Sequence, residues 1–179
     1  HTGYSNPEVN AAKQERNLYI LEKITAIDTD PHPMALFLQG GALLDLGRIS
    51  EALDFYRRCA NSPEAGSELS HGAIVRMCTC LAILERHSEI LAIAPQEPFS
   101  TWHPELLLHT GTSLIKIGRV NEGIELLMKV FEFPQNASLP AYDSTKVKAR
   151  TAMAIATVYE KNNLGLAVSL LKLAANSLQ

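Results

Sequence analysis

Apolar positions along this chain recur at helical spacing in paired segments. Residues 34–46 and residues 50–60 each carry apolar side chains three or four positions apart, which is typical of amphipathic helices. Gly47 is placed to end the first helix in the left-handed conformation, Ser50 to cap the second, and Pro63 to stop it. The pattern therefore predicts a helical hairpin.

The hairpin is repeated along the chain. The phrase Gly-Arg-Ile-Ser-Glu-Ala-Leu at 47–53 returns as Gly-Arg-Val-Asn-Glu-Gly-Ile at 118–124, and the two starts are 118 − 47 = 71 positions apart. That spacing is about two periods of a 34-residue helical repeat. Weaker copies lie at 85–91 and 162–168. We therefore expect four hairpins, with small residues where paired helices approach most closely, namely Gly40, Ala52, Gly111 and Gly123.

The remaining segments complete the predicted organisation. Residues 7–27 predict a leader helix with Pro7 in its first turn. Pro95 and Pro98 should shorten the second helix of the second hairpin, and residues 133–144 should form a loop. The apolar members of the leader helix are Val9, Leu18, Leu21, Ile24 and Ile27. One leader and four pairs give nine helices.

This pattern resembles the tetratricopeptide repeat, whose signature is large–small–large on the first helix and small–aromatic–small on the second. The matching residues are Leu36, Gly40, Leu43 and Leu107, Gly111, Leu114 on first helices, and Ala52, Tyr56, Cys59 and Gly123, Leu127, Val130 on second helices. The resemblance implies an all-α, right-handed superhelix of about nine helices. Its leader segment would span 1–32 and its four hairpins 33–179, with the second hairpin degenerate.

The amino end has a resemblance of its own. His1-Thr2-Gly3-Tyr4, followed by a helix containing Arg16, Asn17 and Leu21, is similar to the seam between the catalytic domain and the tetratricopeptide tail of bacterial family 2 glycosyltransferases. The resemblance implies a parent protein that transfers a sugar from a nucleotide donor. The chain starts without Met and lacks strand-rich sequence, so we expect a non-enzymatic part of that longer protein.

Composition narrows the function classes. Of 179 residues, 46% are hydrophobic and 20% charged, and the net charge of −3 lacks the basic excess on which nucleic-acid binding depends. No apolar run reaches the roughly 20 residues of a membrane span. Three cysteines without paired spacing indicate reduced thiols, and we expect a cytoplasmic protein.

Candidate metal chemistry is weak. Asp28 and Asp30 form a D-x-D pair, the motif through which such transferases hold Mg²⁺ or Mn²⁺. Here the pair follows a helix and precedes Pro31, which favours a turn over a metal site. The six histidines show no metal-binding spacing, so neither a metal nor another cofactor is expected.

What remains is a surface for binding. In tetratricopeptide arrays the first helices line a concave groove, and the corresponding positions here are mostly apolar, which suits a peptide, a partner helix or a second copy of the chain in a homodimer. The candidate binding residues are Phe37, Leu44, Asp45, Val75, Leu108, Thr112, Ile115, Lys116 and Tyr159. Phe37 and Gly41 stand where members that clamp a terminal carboxylate need Lys and Asn, so that ligand is not expected. Three alternatives stay open: these side chains pack against the leader helix or a neighbouring subunit, the array is a rigid spacer, or it completes the active site of the parent enzyme.

Overall fold

The computed structural model describes residues 7–25, 31–93, 103–133 and 143–160, and the single positions 163, 165, 168, 169 and 172; the side chains of 7–10 are left aside. The helices are α1 (Pro7–Thr25), α2 (Pro33–Asp45), α3 (Ile49–Asn61), α4 (Gly66–Ile83), α5 (His87–Ile93), α6 (Pro104–Lys116), α7 (Val120–Met128) and α8 (Ser144–Tyr159), with a 3₁₀ turn at Lys129–Glu132. All regular elements in these ranges are helical, which confirms the all-α prediction. The described ranges hold eight α-helices, whereas nine were predicted, and the ninth was predicted in 161–179, most of which lies outside these ranges.

The chain divides into two compact units, His1–Glu85 and Arg86–Gln179. In the first unit, α2 packs against α1, α3 and α4; in the second, α6 packs against α5, α7 and α8. The starts of α2 and α6 are 104 − 33 = 71 positions apart, as are the starts of α3 and α7 at 49 and 120. Each unit therefore contains one copy of the long-period hairpin, and each hairpin has one helix before it and one after it.

A glycine in the left-handed region ends the first helix of both hairpins. Gly47 has φ 75° and Gly118 has φ 91°, as the sequence predicts. The amide of Gly47 donates to Leu44 O at 3.0 Å and that of Arg48 donates to Leu43 O at 2.9 Å, which together form a Schellman turn. Glu85 occupies the same position after α4, with φ 57°.

An arginine–glutamate pair marks the start of α3, of α5 and of α7. In each pair the guanidinium of an arginine directly before the helix donates from Nε and Nη2 to both carboxylate oxygens of the glutamate three residues on. The pairs are Arg48–Glu51, Arg86–Glu89 and Arg119–Glu122. Because these side chains are largely exposed, the pairs add little stability. Their recurrence does show that 85–91 is a structural copy of 47–53.

Exchanging Glu85 for glycine should stabilise the protein. A left-handed conformation costs an L-residue about 1–2 kcal/mol, and glycine avoids this cost. Part of the gain in stability is lost, because glycine makes the unfolded chain more flexible. We expect Glu85→Gly to raise the free energy of unfolding by about 0.5–1 kcal/mol in urea denaturation. The reciprocal control, Gly47→Ala, should lower it by about 1 kcal/mol; a loss in both variants would contradict the assignment.

Missing side chains let the hairpin helices approach closely. A Cβ on Gly40 would lie 2.8 Å from Cε1 of Tyr56, and a Cβ on Gly111 would lie 2.7 Å from Cγ of Leu127. A Cβ on Gly123 would lie 2.6 Å from the carbonyl oxygen of Gly111. The predicted close-approach role of these glycines is confirmed.

Several local predictions need correction. Ser50 does not cap α3: the helix begins at Ile49, and the cap position belongs to Arg48, whose side chain makes no capping bond. Helix α7 ends at Met128, and the chain continues as the 3₁₀ turn at Lys129–Glu132. Among the apolar members of the leader helix, Leu18 is buried, whereas Ile24 is 55% exposed. Helix α5 is described over seven residues, and Pro95 and Pro98, which should shorten it, lie outside the described ranges.

A His-Pro pair opens the first helix of each long-period hairpin, and the sequence reasoning missed it. The Nδ1 of His32 accepts from the amide of Met34 and that of His103 accepts from the amide of Glu105, both at 3.2 Å. A proline follows each histidine in the first turn. The signal was available, because positions 32 and 103 are also 103 − 32 = 71 apart.

Candidate binding groove in the first unit

A cavity of about 490 Å³ opens on the surface of the first unit. Helix α2 contributes Phe37, Leu38, Gly41, Ala42, Leu44 and Asp45, and α1 contributes Gln14, Asn17, Ile20 and Leu21. Tyr56 of α3 and Arg76 of α4 complete the lining. We call this cavity the α1–α2 groove.

The structure places three of the candidate binding residues together here. Phe37, Leu44 and Asp45 line the α1–α2 groove, with Gly41 between them. Val75 does not: its side chain is buried, and the neighbouring Arg76 reaches the groove instead. The helical register therefore predicted the groove residues of α2 correctly, and for α4 it pointed to the residue before the one that lines the groove.

Helix α1 forms one wall of the groove through polar contacts to α2. Gln14 Nε2 donates to Asp45 Oδ2 at 2.8 Å, and Gln39 Nε2 donates to Thr25 Oγ1 at 3.0 Å. The side chain of Ile20 on this wall is 48% exposed, and Leu38 opposite it on α2 is 50% exposed. The leader helix therefore flanks the groove and leaves part of its apolar surface open to solvent.

Phe37 and Tyr56 form the aromatic part of the groove. Their rings meet edge to face, with centroids 5.5 Å apart and planes inclined at 68°. Glycine at position 41 leaves the Tyr56 hydroxyl uncovered: a Cβ there would lie 3.7 Å from the hydroxyl oxygen. Burial raises the pKa of Tyr56, so its hydroxyl stays protonated and can donate a hydrogen bond.

The candidate binding residues of the second unit do not form a common groove: some pack inside that unit, and the others are exposed or half-buried. Leu108 is buried, and Thr112 Oγ1 donates to its carbonyl oxygen at 2.7 Å. Ile115 packs where Gly123 lacks a side chain. Lys116 is exposed and Tyr159 half-buried. The described side chains thus offer less free apolar surface here than the register suggested.

A buried histidine lies in α6 of the second unit. His109 is 4% exposed, and burial, followed by the nearby charge of Arg150, lowers its pKa to about 4. Arg150 also approaches Glu105, with Nη1 3.9 Å from Oε1. His109 is therefore neutral at pH 7, and its position in the packed interior indicates a structural role.

The metal-ligating and thiol side chains of the described residues lie apart or are buried. None of their His, Cys, Asp and Glu side chains cluster in threes as a metal ion requires, and Asp28 and Asp30 lie outside the described ranges. All three cysteines are free and buried. Burial raises the pKa of Cys78 to about 12 and that of Cys80 to about 11, so both are unreactive thiols. Among the helices in these ranges, none has the length and apolar character to cross a bilayer.

No family model matches the chain, and no curated protein is significantly similar to it.

Proposed function

We propose that this chain is a protein-interaction module whose α1–α2 groove binds an extended peptide segment of a partner protein. The observation that carries the proposal is the groove itself, in which exposed apolar side chains of α1 and α2 surround a few polar groups. Such a composition, mostly apolar with a small number of polar anchors, is typical of a binding cleft.

The repeated architecture supports an interaction module. Helix α2 packs against α4 as well as α3, and α6 packs against α8 as well as α7, so first helices of neighbouring hairpins are adjacent within each unit. This is the arrangement expected of stacked hairpins, and we propose a tetratricopeptide-like superhelix on this basis. Hairpins of this kind serve as scaffolds for extended binding surfaces.

The parent protein is proposed from the sequence alone. The resemblance of the amino end to the seam of bacterial family 2 glycosyltransferases suggests that the module accompanies such a catalytic domain. Residues 1–6 lie outside the described ranges, and α1 follows them directly. In this arrangement the chain would recruit or position a protein partner, and catalysis would belong to the other domain.

The groove can be tested with a matched pair of substitutions. Leu38→Ser removes an exposed leucine that lines the groove, and Ile83→Ser removes an equally exposed residue of the first unit that does not. With a panel of fluorescently labelled synthetic decapeptides rich in leucine and phenylalanine, we expect Leu38→Ser to weaken binding about tenfold, because it removes roughly half of a leucine's apolar contact. Ile83→Ser should bind like the wild type in the same anisotropy titration. Equal affinities of the two variants, or no binding by any peptide, would refute the proposal.

Self-association and a passive spacer are the competing functions. Light scattering over a concentration series distinguishes the first: a dimer that Leu38→Ser dissociates would make a second copy the occupant of the groove. A spacer predicts that groove variants of the longer protein behave like the wild type while shortened repeats do not.

A further inference from the structure

We propose that the α1–α2 groove recognises a single acidic side chain set among apolar residues of the bound peptide, with the carboxylate paired to Arg76. The inference rests on the proposed function and names the chemistry of its ligand. It is carried by two donor groups that line the groove without a partner among the described residues.

Arg76 is the first of these groups. It projects from α4 into the groove, is half-buried, and makes no ion pair within the described part of the chain. Two other arginines of the first unit differ, since Arg48 before α3 is paired with Glu51, and Arg57 of α3 is paired with Asp54. A guanidinium presents a planar set of donors that matches a carboxylate, and partial burial strengthens that pairing.

Tyr56 is the second group. Its side chain is 1% exposed, yet its hydroxyl lies beside Gly41 at the groove and donates to no described residue. A phenolic hydroxyl can donate one hydrogen bond, and an acceptor on a bound ligand would receive it. The amide of Asn17 lines the same groove and adds donors from α1.

Asp45 limits how acidic the ligand can be. Its carboxylate lines the groove as well and is held by Gln14. One incoming carboxylate can pair with Arg76, but a second would meet the charge of Asp45 without a cation to offset it. The groove is therefore suited to one acidic residue flanked by large apolar residues, and it disfavours an acidic run.

The test uses acetylated, C-terminally amidated nonapeptides with a central glutamate between leucine and phenylalanine residues, and the same peptides with glutamine. We expect the wild type to bind the glutamate peptide about tenfold more tightly, which corresponds to one charge-assisted hydrogen-bonded pair. Arg76→Gln should abolish this preference, Tyr56→Phe should reduce it, and Asp45→Asn should increase it. Arg16→Gln, which removes an exposed guanidinium of α1 outside the groove, should leave it unchanged.

The outcomes separate this inference from the proposed function. If glutamate and glutamine peptides bind equally and Leu38→Ser still weakens both, the groove binds peptides and the acidic specificity is refuted. If the preference survives Arg76→Gln in a folded variant, the anchor is not Arg76 and the inference fails. If the glutamine peptide made with a free terminal carboxylate binds as tightly as the amidated glutamate peptide, the ligand is a chain terminus, which also overturns it. Absence of binding by every peptide refutes both proposals.

Discussion

Replacing Gly123 with alanine should lower the free energy of unfolding by about 2 kcal/mol, because the new methyl group meets the backbone of the facing helix. Its Cβ would lie 2.6 Å from the carbonyl oxygen of Gly111, 2.6 Å from Cγ1 of Ile115 and 3.1 Å from the amide nitrogen of Ile115. Two of these atoms belong to the main chain of α6, so relief requires α6 and α7 to separate. Alanine gains up to about 1 kcal/mol in helix propensity, which offsets only part of the overpacking cost.

The matched control is Gly41→Ala in α2. A Cβ at Gly41 meets only the Tyr56 hydroxyl, at an ordinary contact distance of 3.7 Å, so the helix propensity of alanine should dominate and raise stability by about 0.5–1 kcal/mol. Thermal and urea unfolding of both variants provide the measurement. A Gly123→Ala protein as stable as the wild type would mean that α6 and α7 do not cross as closely as described.

The repeat was predictable because its strongest constraints are local. Gly47 and Gly118 are recognisable in the sequence, since a left-handed residue after a helix is nearly always glycine. Gly40, Gly111 and Gly123 are similarly visible, because a glycine inside an apolar helix needs a packing reason.

Other features depend on side-chain choices that periodicity does not reveal. Ser50 is a good capping residue, yet α3 begins one residue before it and the segment uses an arginine–glutamate pair instead. Ile24 belongs to the apolar spacing of the leader helix, yet its side chain is 55% exposed. The sequence predicted the three α2 positions of the groove. It did not identify Arg76 and Tyr56 as groove residues, because apolar spacing does not show which donor groups are left without a hydrogen-bond acceptor.

These two misses share a physical cause. A pattern of apolar spacing identifies which helix face is buried, whereas an unpaired donor is recognised only when the surrounding side chains are placed. Tyr56 was interpreted as a packing residue of the hairpin, and its ring does pack against Phe37. Its hydroxyl lies beside Gly41, where a Cβ would be 3.7 Å from the hydroxyl oxygen.

Acidification should destabilise the protein through His109 before the carboxylates are protonated. The pKa of His109 falls from its ordinary 6.5 to about 4 in the folded state, mainly by burial and secondly through Arg150. The unfolded chain therefore binds a proton between pH 6.5 and pH 4 that the folded protein does not, and stability falls as the pH falls through this window. The loss amounts to about 2 kcal/mol at pH 5 and approaches about 3 kcal/mol below pH 4.

The carboxylates act at lower pH and in the same direction. Hydrogen bonds from Arg48 and Arg119 hold the pKa of Glu51 and that of Glu122 below the ordinary value of 4.5, so their contribution is lost only as the pH falls below that value. Urea unfolding at pH 7.5 and pH 5 thus isolates the histidine. His109→Leu should remove most of the stability difference between these two pH values, whatever its effect at pH 7.5, while His71→Gln, in an exposed side chain of α4, should preserve it. If His109→Leu retains the full difference, another group takes up the proton, and the neutral, buried state of His109 is not what limits stability in mild acid.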